Sequence, residues 1–217
     1  MNVKQKITSP WWVTDKILIR FLKHGVPYLK GKLLDAGCGR MPYKELFECD
    51  EYIGLDVSGS LNPDIIGDLK NLNMFSDESF DSVLSNQVLE HIDDTDKVIS
   101  ELFRILKQGG HLCLTVPFIS RLHGVPNDYW RFSRYGLEYL LKKHKFEVVF
   151  IKPMGGFLTT QCFLWQFFIY EICRKTVVTR VLFKSFLILI NPILLSIHYL
   201  DKDTKTSFNY IAVARKM

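Results

Sequence analysis

The chain has 217 residues, of which 47% are hydrophobic and 24% charged, and its formal net charge is +5. This length suits one domain with a substantial core, and the composition excludes a disordered or fibrous protein. The mild positive charge permits anionic partners but does not call for nucleic acid, which we do not expect as a partner.

Cysteine usage and the N-terminal residues both bear on the compartment. The chain has five scattered cysteines and no C-x-x-C pair: Cys38, Cys49, Cys113, Cys162 and Cys173. This pattern argues against a disulfide framework and a zinc site and favours a reducing compartment. No export signal is visible, because Thr14-Asp15 interrupt the apolar Trp11-Trp12-Val13. We therefore expect a cytoplasmic protein.

Strand and helix patterns alternate along the chain. Apolar residues at helical spacing predict a lead-in helix capped by Thr14, a second helix over 93–107 and a third capped by Ser133. Short apolar segments predict strands at 32–35, 52–56, 64–68, 80–85, 111–116, 146–151 and 208–214. This order predicts an α/β fold with a doubly wound, mostly parallel, seven-stranded sheet covered on both faces.

A glycine-rich turn, Ala36-Gly37-Cys38-Gly39, follows the first strand directly. Such turns let a ligand approach backbone N–H groups at the carboxyl edge of a sheet. An NAD-binding turn favours glycine where this chain has Pro42, which suits the first turn of a helix, and no Gly-Lys-Ser/Thr of a P-loop follows. Asp35, at the end of the strand, suits a ligand with an amine and a sulfonium better than one with phosphates.

Several further motifs complete a resemblance. The acids Asp56 and Asp68 end the second and third strands, and the fourth strand runs on to Val88-Leu89-Glu90-His91. In this order the motifs resemble those of class I S-adenosylmethionine-dependent methyltransferases with a Rossmann-like fold, in particular the methyltransferase type 11-like subgroup of small-molecule, lipid and glycan enzymes. The resemblance covers about 33–151, with 208–214 similar to the family's closing antiparallel strand.

The resemblance implies a cofactor, S-adenosylmethionine, and residues that bind it. Gly37 and Gly39 would admit the methionine portion, Asp56 would accept hydrogen bonds from the ribose hydroxyls, and Asp68 with Leu69 would meet the adenine. Asn86 and Gln87 would border the methyl group. The complete expected set is Asp35, Ala36, Gly37, Cys38, Gly39, Asp56, Val57, Asp68, Leu69, Asn86 and Gln87.

The richest candidate for chemistry is the loop 121–132, which follows the fifth strand at the same sheet edge. Similar family sequences place His-x-x-Pro-x-Asp-Tyr-x-Arg-Phe over the acceptor pocket. His123 or Asp128 is the expected proton acceptor, with Tyr129 and Arg131 shaping the pocket. The alternative is that Asp128 and Arg131 pair only to hold the loop.

A metal site is not expected. In methyltransferases of the ubiquinone pathway and of small-RNA 2′-hydroxyls, a Glu-x-x-Glu-His pattern binds a divalent ion. This chain has Gln87 in place of the first glutamate, and the loss of a charged oxygen weakens a hard-cation site. The Pro-Pro-aromatic motif of amino-methylating enzymes is also missing after the fourth strand, which favours oxygen or carbon as the methylated atom.

An apolar segment separates the last two strands. Its runs within 157–200 are interrupted by charged residues, so a continuous stretch of about 18 residues or more is not reached cleanly, and a surface-lying or re-entrant helix pair is expected. The segment would contact a membrane, placing the protein at the inner face of a membrane, or pack on the core or in a homodimer. The single domain 1–217 then comprises a helical lead-in (1–31), a cofactor-binding core (32–152), the insertion (153–206) and a final strand (207–217).

The expected function is methyl transfer from S-adenosylmethionine to oxygen or carbon of a small-molecule, lipid-linked or glycan acceptor. Two other classes stay open. One is a binding module or regulatory partner that kept the fold without catalysis, and the other is an NAD-dependent oxidoreductase, which Pro42 disfavours.

Overall fold

A computed structural model describes residues 5–217, and 1–4, at the start of the lead-in, lie outside the described part. These residues form a seven-stranded sheet with the order β3-β2-β1-β4-β5-β7-β6, in which β7 is antiparallel to both neighbours. The strands are β1 (Lys32–Ala36), β2 (Glu51–Asp56), β3 (Ile65–Ile66), β4 (Phe80–Asn86), β5 (Leu106–Pro117), β6 (Phe146–Met154) and β7 (Asn209–Lys216). The predicted fold class is confirmed.

The described residues contain five α-helices, of which the first three lie on the two faces of the sheet and the last two pack mainly on each other. They are α1 (Trp12–Gly25), α2 (Thr95–Ile105), α3 (Arg134–Lys143), α4 (Phe157–Cys173) and α5 (Val177–Leu200). Successive side chains of a strand face opposite sides, and Leu33 accordingly joins the core under α1 while Leu34 joins the core under α2 and α3. The strand order reverses between β1 and β4, which is where open α/β sheets bind ligands.

Helix caps agree with the sequence in one place and differ in another. Ser133 caps α3 as predicted, since its hydroxyl accepts a hydrogen bond from the Gly136 N–H at 3.1 Å. The predicted cap Thr14 is wrong, because α1 begins earlier and the Thr14 hydroxyl donates back to the Trp11 carbonyl. Pro42 does not open an α-helix either, since a turn leads from it only to a short 3₁₀ helix (Lys44–Leu46).

The apolar segment is a pair of helices, α4 and α5, as expected. Among the described residues one helix, α5, is long and apolar enough to cross a membrane by length and composition, with a mean hydropathy of 1.8 over its most apolar window. Its charged residues, Arg180 and Lys184, both lie near the start of the helix.

Candidate functional site

The glycine turn after β1 adopts a backbone conformation that side chains disfavour. Gly37 and Gly39 have φ of +82° and +53°, in the left-handed region. A Cβ on Gly37 would lie 2.5 Å from a methyl group of Val88, whereas a Cβ on Gly39 would meet nothing within 4 Å. Gly37 is therefore needed for packing, and Gly39 leaves open space against which a ligand can lie.

Asp56 joins this turn to the end of β2. Its carboxylate accepts hydrogen bonds from the N–H groups of Gly39 and Ser58, both at 2.9 Å. Each carboxylate oxygen has a second lone pair, so the half-buried group can still accept hydrogen bonds from two hydroxyls of a ligand. The residues present thus fit the ribose of an adenosyl cofactor.

Two cavities meet at the turn and contain most of the expected cofactor residues. The first, of about 560 Å³, is lined by Gly37, Asp56, Val57, Asp68, Leu69 and Gln87 among others. The second, of about 500 Å³, is lined by Asp35, Gly37, Cys38, Gly39, Asn86 and Gln87 among others. Of the expected set, Ala36 alone lines neither cavity, since its side chain is fully buried in the core.

Asp35 and Cys38 are both perturbed by burial. Burial raises the pKa of Asp35 from its ordinary 3.8 to about 7, against the opposing effect of the hydrogen bond that the Tyr52 hydroxyl donates to it. Burial, reinforced by nearby carboxylates, raises the pKa of the Cys38 thiol to about 12. Cys38 therefore remains a thiol at neutral pH and contributes no nucleophile.

The shift at Asp35 predicts a pH dependence of cofactor binding. If the carboxylate faces the amine and sulfonium of the cofactor, only its ionised form attracts them, so affinity should rise between about pH 6 and about pH 8, by up to about tenfold per unit below pH 7. Calorimetry across this range should show that Asp35→Asn flattens the profile. An equally steep profile in the variant would exclude Asp35 as the responsible group.

The raised pKa of Asp35 also predicts how the stability of the cofactor-free protein depends on pH, and this dependence runs opposite to that of cofactor affinity. The folded-state pKa lies above the unfolded one, so the stability that Asp35 contributes is fully present below about pH 4 and is lost as the pH rises through about 7. Denaturant unfolding should show this loss in the wild type, at about 1.4 kcal/mol per pH unit at most. Asp35→Asn should remove that part of the dependence.

A third cavity, of about 240 Å³, adjoins the other two at Gln87. Its apolar wall comes from the N-terminal region, α4 and the residue before β7: Trp11, Leu18, Phe163, Phe167 and Phe208. Its polar lining includes Gln87, Arg121, His123 and Asn209. Gln87 is held by hydrogen bonds, since its backbone N–H donates to the Thr115 carbonyl at 3.0 Å and its side-chain oxygen accepts from Asn209 at 3.3 Å.

His123 reaches this third cavity and lies against a buried carboxylate. Its Nε2 is 3.7 Å from Oε1 of Glu90, whose side chain is fully buried and whose two oxygens have no hydrogen-bond partner within the described chain. Glu90 is the main cause that raises the pKa of His123. A buried carboxylate without a partner is costly unless a neighbouring cation compensates it.

The Asp128 carboxylate forms hydrogen bonds with other residues of the loop 121–132. Its carboxylate, 2% exposed, accepts from both terminal nitrogens of Arg131, at 2.7 and 2.8 Å, and from the His123 backbone N–H at 2.8 Å. The Arg131 guanidinium holds the pKa of Asp128 well below its usual range. A carboxylate so stabilised is a weak proton acceptor, and the geometry favours His123 over Asp128 for that role.

Tyr129 and His91 line the first cavity rather than the third. His91 lies edge-to-face with His123, and Glu90, His91 and His123 offer three potential metal-ligand atoms within 4.8 Å of one another. One carboxylate and two imidazoles can serve as a donor set for a transition metal. The prediction that the site works without a metal stays a prediction.

Sequence reasoning missed part of the third cavity. Trp11 and the aromatic residues of α4 were assigned to a lead-in and an insertion, and nothing in their spacing indicated that they line a site. Glu90 entered the sequence analysis only as part of an incomplete metal-binding pattern, and its lack of hydrogen-bond partners in the described chain could not be read from the sequence.

Comparisons with known proteins agree with this geometry. Residues 34–114 match the family model described as a methyltransferase domain. The chain is 35% identical to phosphoethanolamine N-methyltransferase 2 of Caenorhabditis elegans over 89 residues, covering 40% of this chain and 19% of that protein. It is 25% identical to malonyl-[acyl-carrier protein] O-methyltransferase of Calditerrivibrio nitroreducens over 150 residues, covering 62% and 57%.

The sheet also has solved counterparts. A S-adenosylmethionine-dependent methyltransferase from Archaeoglobus fulgidus superposes with a TM-score of 0.60 at 17% identity, covering 93% of this chain and 94% of that one. The chain spans between 19% and 62% of the length of the curated relatives it matches. Residues 34–114 are thus similar to a methyltransferase domain, and the sheet has the fold of solved S-adenosylmethionine-dependent methyltransferases.

Proposed function

We propose that the protein transfers a methyl group from S-adenosylmethionine to an oxygen or carbon atom of a small-molecule, lipid-linked or glycan acceptor with an apolar part. One observation carries the proposal: Gln87 lines all three cavities. A cofactor in the first two cavities would therefore present its methyl group beside Gln87, to an acceptor in the third.

The cofactor supplies an electrophilic methyl group on a sulfonium, and residues of the chain would hold the cofactor and the acceptor in position. Asp56 would hold the ribose, Gly39 would admit the methionine portion and Asp68 with Leu69 would flank the adenine. Methyl transfer is an in-line displacement, so holding the acceptor atom opposite the sulfur provides much of the acceleration. The walls of the third cavity would do this for an acceptor.

The lining of the third cavity indicates the kind of acceptor. Five aromatic side chains line it together with polar ones such as His123 and Asn209: Trp11, Tyr43, Phe163, Phe167 and Phe208. This combination suits a molecule with an apolar body and a hydroxyl or other polar reacting end. It favours a lipid-linked or other partly apolar acceptor over a fully polar sugar.

The proton released by such a hydroxyl would go to His123. An imidazole that accepts a proton becomes a cation, and the buried Glu90 carboxylate at 3.7 Å would stabilise that cation. Glu90 contacts His123 and does not line the third cavity, so we assign it as a positioning residue.

The test uses the methyl label. The purified protein should bind S-adenosylmethionine in calorimetry, and with tritiated cofactor it should transfer label to the organic phase of a lipid extract more than to water-soluble metabolites. Cofactor binding with no transfer to either fraction would indicate the non-catalytic module. Binding of NAD in place of S-adenosylmethionine would indicate the oxidoreductase.

A further inference from the structure

The outer surface of the α4 and α5 pair is apolar. Side chains more than half exposed on this surface are Phe157, Leu158, Trp165, Phe168, Ile172, Val177, Val178, Val181, Leu182, Leu189, Ile193, Tyr199 and Leu200. We call this set the hairpin face. Monomeric soluble proteins rarely expose apolar patches of more than a few hundred Å², and larger ones mark partner or membrane surfaces.

The pair of helices α4 and α5, which we call the hairpin, is attached to the rest of the domain through its inner side. The hairpin face on its outer side therefore stays uncovered. On α5 the buried side chains include Phe183, Leu187 and Asn191. Asn191 accepts a hydrogen bond from Gln166 of α4 at 2.8 Å and donates to the Ile7 carbonyl at 2.6 Å. One side of α5 is thus fixed to protein, and only 22% of its most apolar window is buried.

A basic cavity lies at the turn of the hairpin. This cavity, of about 410 Å³, includes four cationic side chains and three aromatic ones in its lining: Lys6, Arg174, Arg180, Lys184, Trp11, Tyr170 and Phe183. None of the described residues that line it is acidic. The only acid within 157–200 is Glu171, which already pairs with Arg121 and Arg174. The cavity therefore attracts anions, and the hairpin has no unpaired carboxylate that could neutralise its positive charge.

We propose that the hairpin face docks on the surface of a bilayer containing anionic phospholipid, with a lipid phosphate at the basic cavity. An apolar face beside basic residues is the composition of helices that lie in a membrane interface. Charge complementarity selects the bilayer over a second copy of this chain, because a second hairpin would bring four basic residues and only the paired Glu171 to the interface. The polar contacts of Asn191 with the domain place α5 in the membrane plane and not across the membrane.

The docked face connects to the third cavity. Trp11 lines both the basic cavity and the third cavity, and its ring lies edge-to-face with Phe167 of α4 at 5.1 Å. Arg121, two residues before His123, stacks on Phe167 at 4.7 Å and pairs with Glu171 at 2.8 Å. A bilayer under the hairpin would therefore lie close to the entrance for an apolar acceptor.

Vesicle binding tests the docking without cofactor or acceptor, so its outcome is independent of the proposed methyl transfer. The full chain is sedimented with vesicles of phosphatidylcholine alone or of phosphatidylcholine and phosphatidylglycerol in equal parts. We expect binding to the mixed vesicles, a loss of at least about tenfold in Arg180→Glu/Lys184→Glu, and a similar loss in Leu182→Ser/Leu189→Ser.

Matched controls lie on other surfaces. Lys97→Glu/Arg134→Glu changes the charge equally, and Tyr135→Ser/Tyr139→Ser removes equally exposed large side chains from α3. Both should bind mixed vesicles within about twofold of the wild type. Wild-type binding by both hairpin variants would overturn the proposal. So would a stable dimer in sedimentation velocity that Leu182→Ser/Leu189→Ser dissociates, with no vesicle binding by the wild type.

Discussion

Replacing His123 by alanine should lower kcat by about 100-fold to 10,000-fold, the range for loss of a general base, while the affinity for S-adenosylmethionine stays within about twofold. The reason is the position of the ring, which lines the third cavity and lies 3.7 Å from the buried Glu90 carboxylate. Single-turnover kinetics with a labelled cofactor would separate this loss from changes in binding. Normal turnover in the variant would remove His123 from the mechanism.

Asp128→Asn provides the matched control in the same loop. The substitution breaks the ion pair with Arg131, whose guanidinium contacts both carboxylate oxygens. We expect a loss of stability of about 1 to 3 kcal/mol in unfolding, because a partly buried charged pair loses one partner. Turnover at saturating acceptor should fall less than in His123→Ala. A larger fall would make Asp128 the proton acceptor.

Glu90→Gln separates positioning from a merely structural role. Glu90 is the main cause of the raised pKa of His123, and a base must be deprotonated to act, so kcat should rise with pH through that pKa. The variant removes the charge, and the rise of kcat should move to lower pH.

A chelator tests for a metal at the same residues. Turnover of the wild type and of Glu90→Gln should be unaffected by it. Inactivation by the chelator and recovery with a divalent ion would assign Glu90, His91 and His123 to a metal.

The sequence predicted those features of the site that depend on local backbone geometry. A strand followed by Gly37 and Gly39 needs only neighbouring residues to form its turn, and parallel strands bring Asp56 to the same edge. The sheet topology was also predictable, because short apolar strands that alternate with helical patterns admit few topologies.

Features that depend on long-range packing were not predictable from the sequence. The contact of His123 with Glu90 joins residues 33 positions apart, and the wall formed by Phe163 and Phe167 depends on how α4 returns over the sheet edge. The cap at Thr14 failed for a local reason, because a hydroxyl inside the first turn can bond either an N–H or a carbonyl, and here it bonds the carbonyl of Trp11.

Asp56→Ala should weaken S-adenosylhomocysteine binding by roughly 100-fold or more, since two hydrogen bonds from ribose hydroxyls to a carboxylate are worth about 1.5 to 3 kcal/mol each. Calorimetry would measure the loss. Asp64→Asn is the matched control, because the Asp64 carboxylate also accepts a backbone N–H, that of Gly54 at 2.8 Å, and Asp64 is not in the lining of the two cofactor cavities. Its affinity should stay within about twofold of the wild type.

Asp56→Ala also affects cofactor binding indirectly, because the Asp56 carboxylate accepts the hydrogen bond of the Gly39 N–H in the glycine turn. A ligand without the two ribose hydroxyls distinguishes these effects. The 2′,3′-dideoxy form of S-adenosylhomocysteine should bind the wild type much more weakly than the parent compound, and Asp56→Ala should bind both forms equally. If the variant still discriminates between them as the wild type does, the ribose is recognised elsewhere and Asp56 serves only to shape the turn.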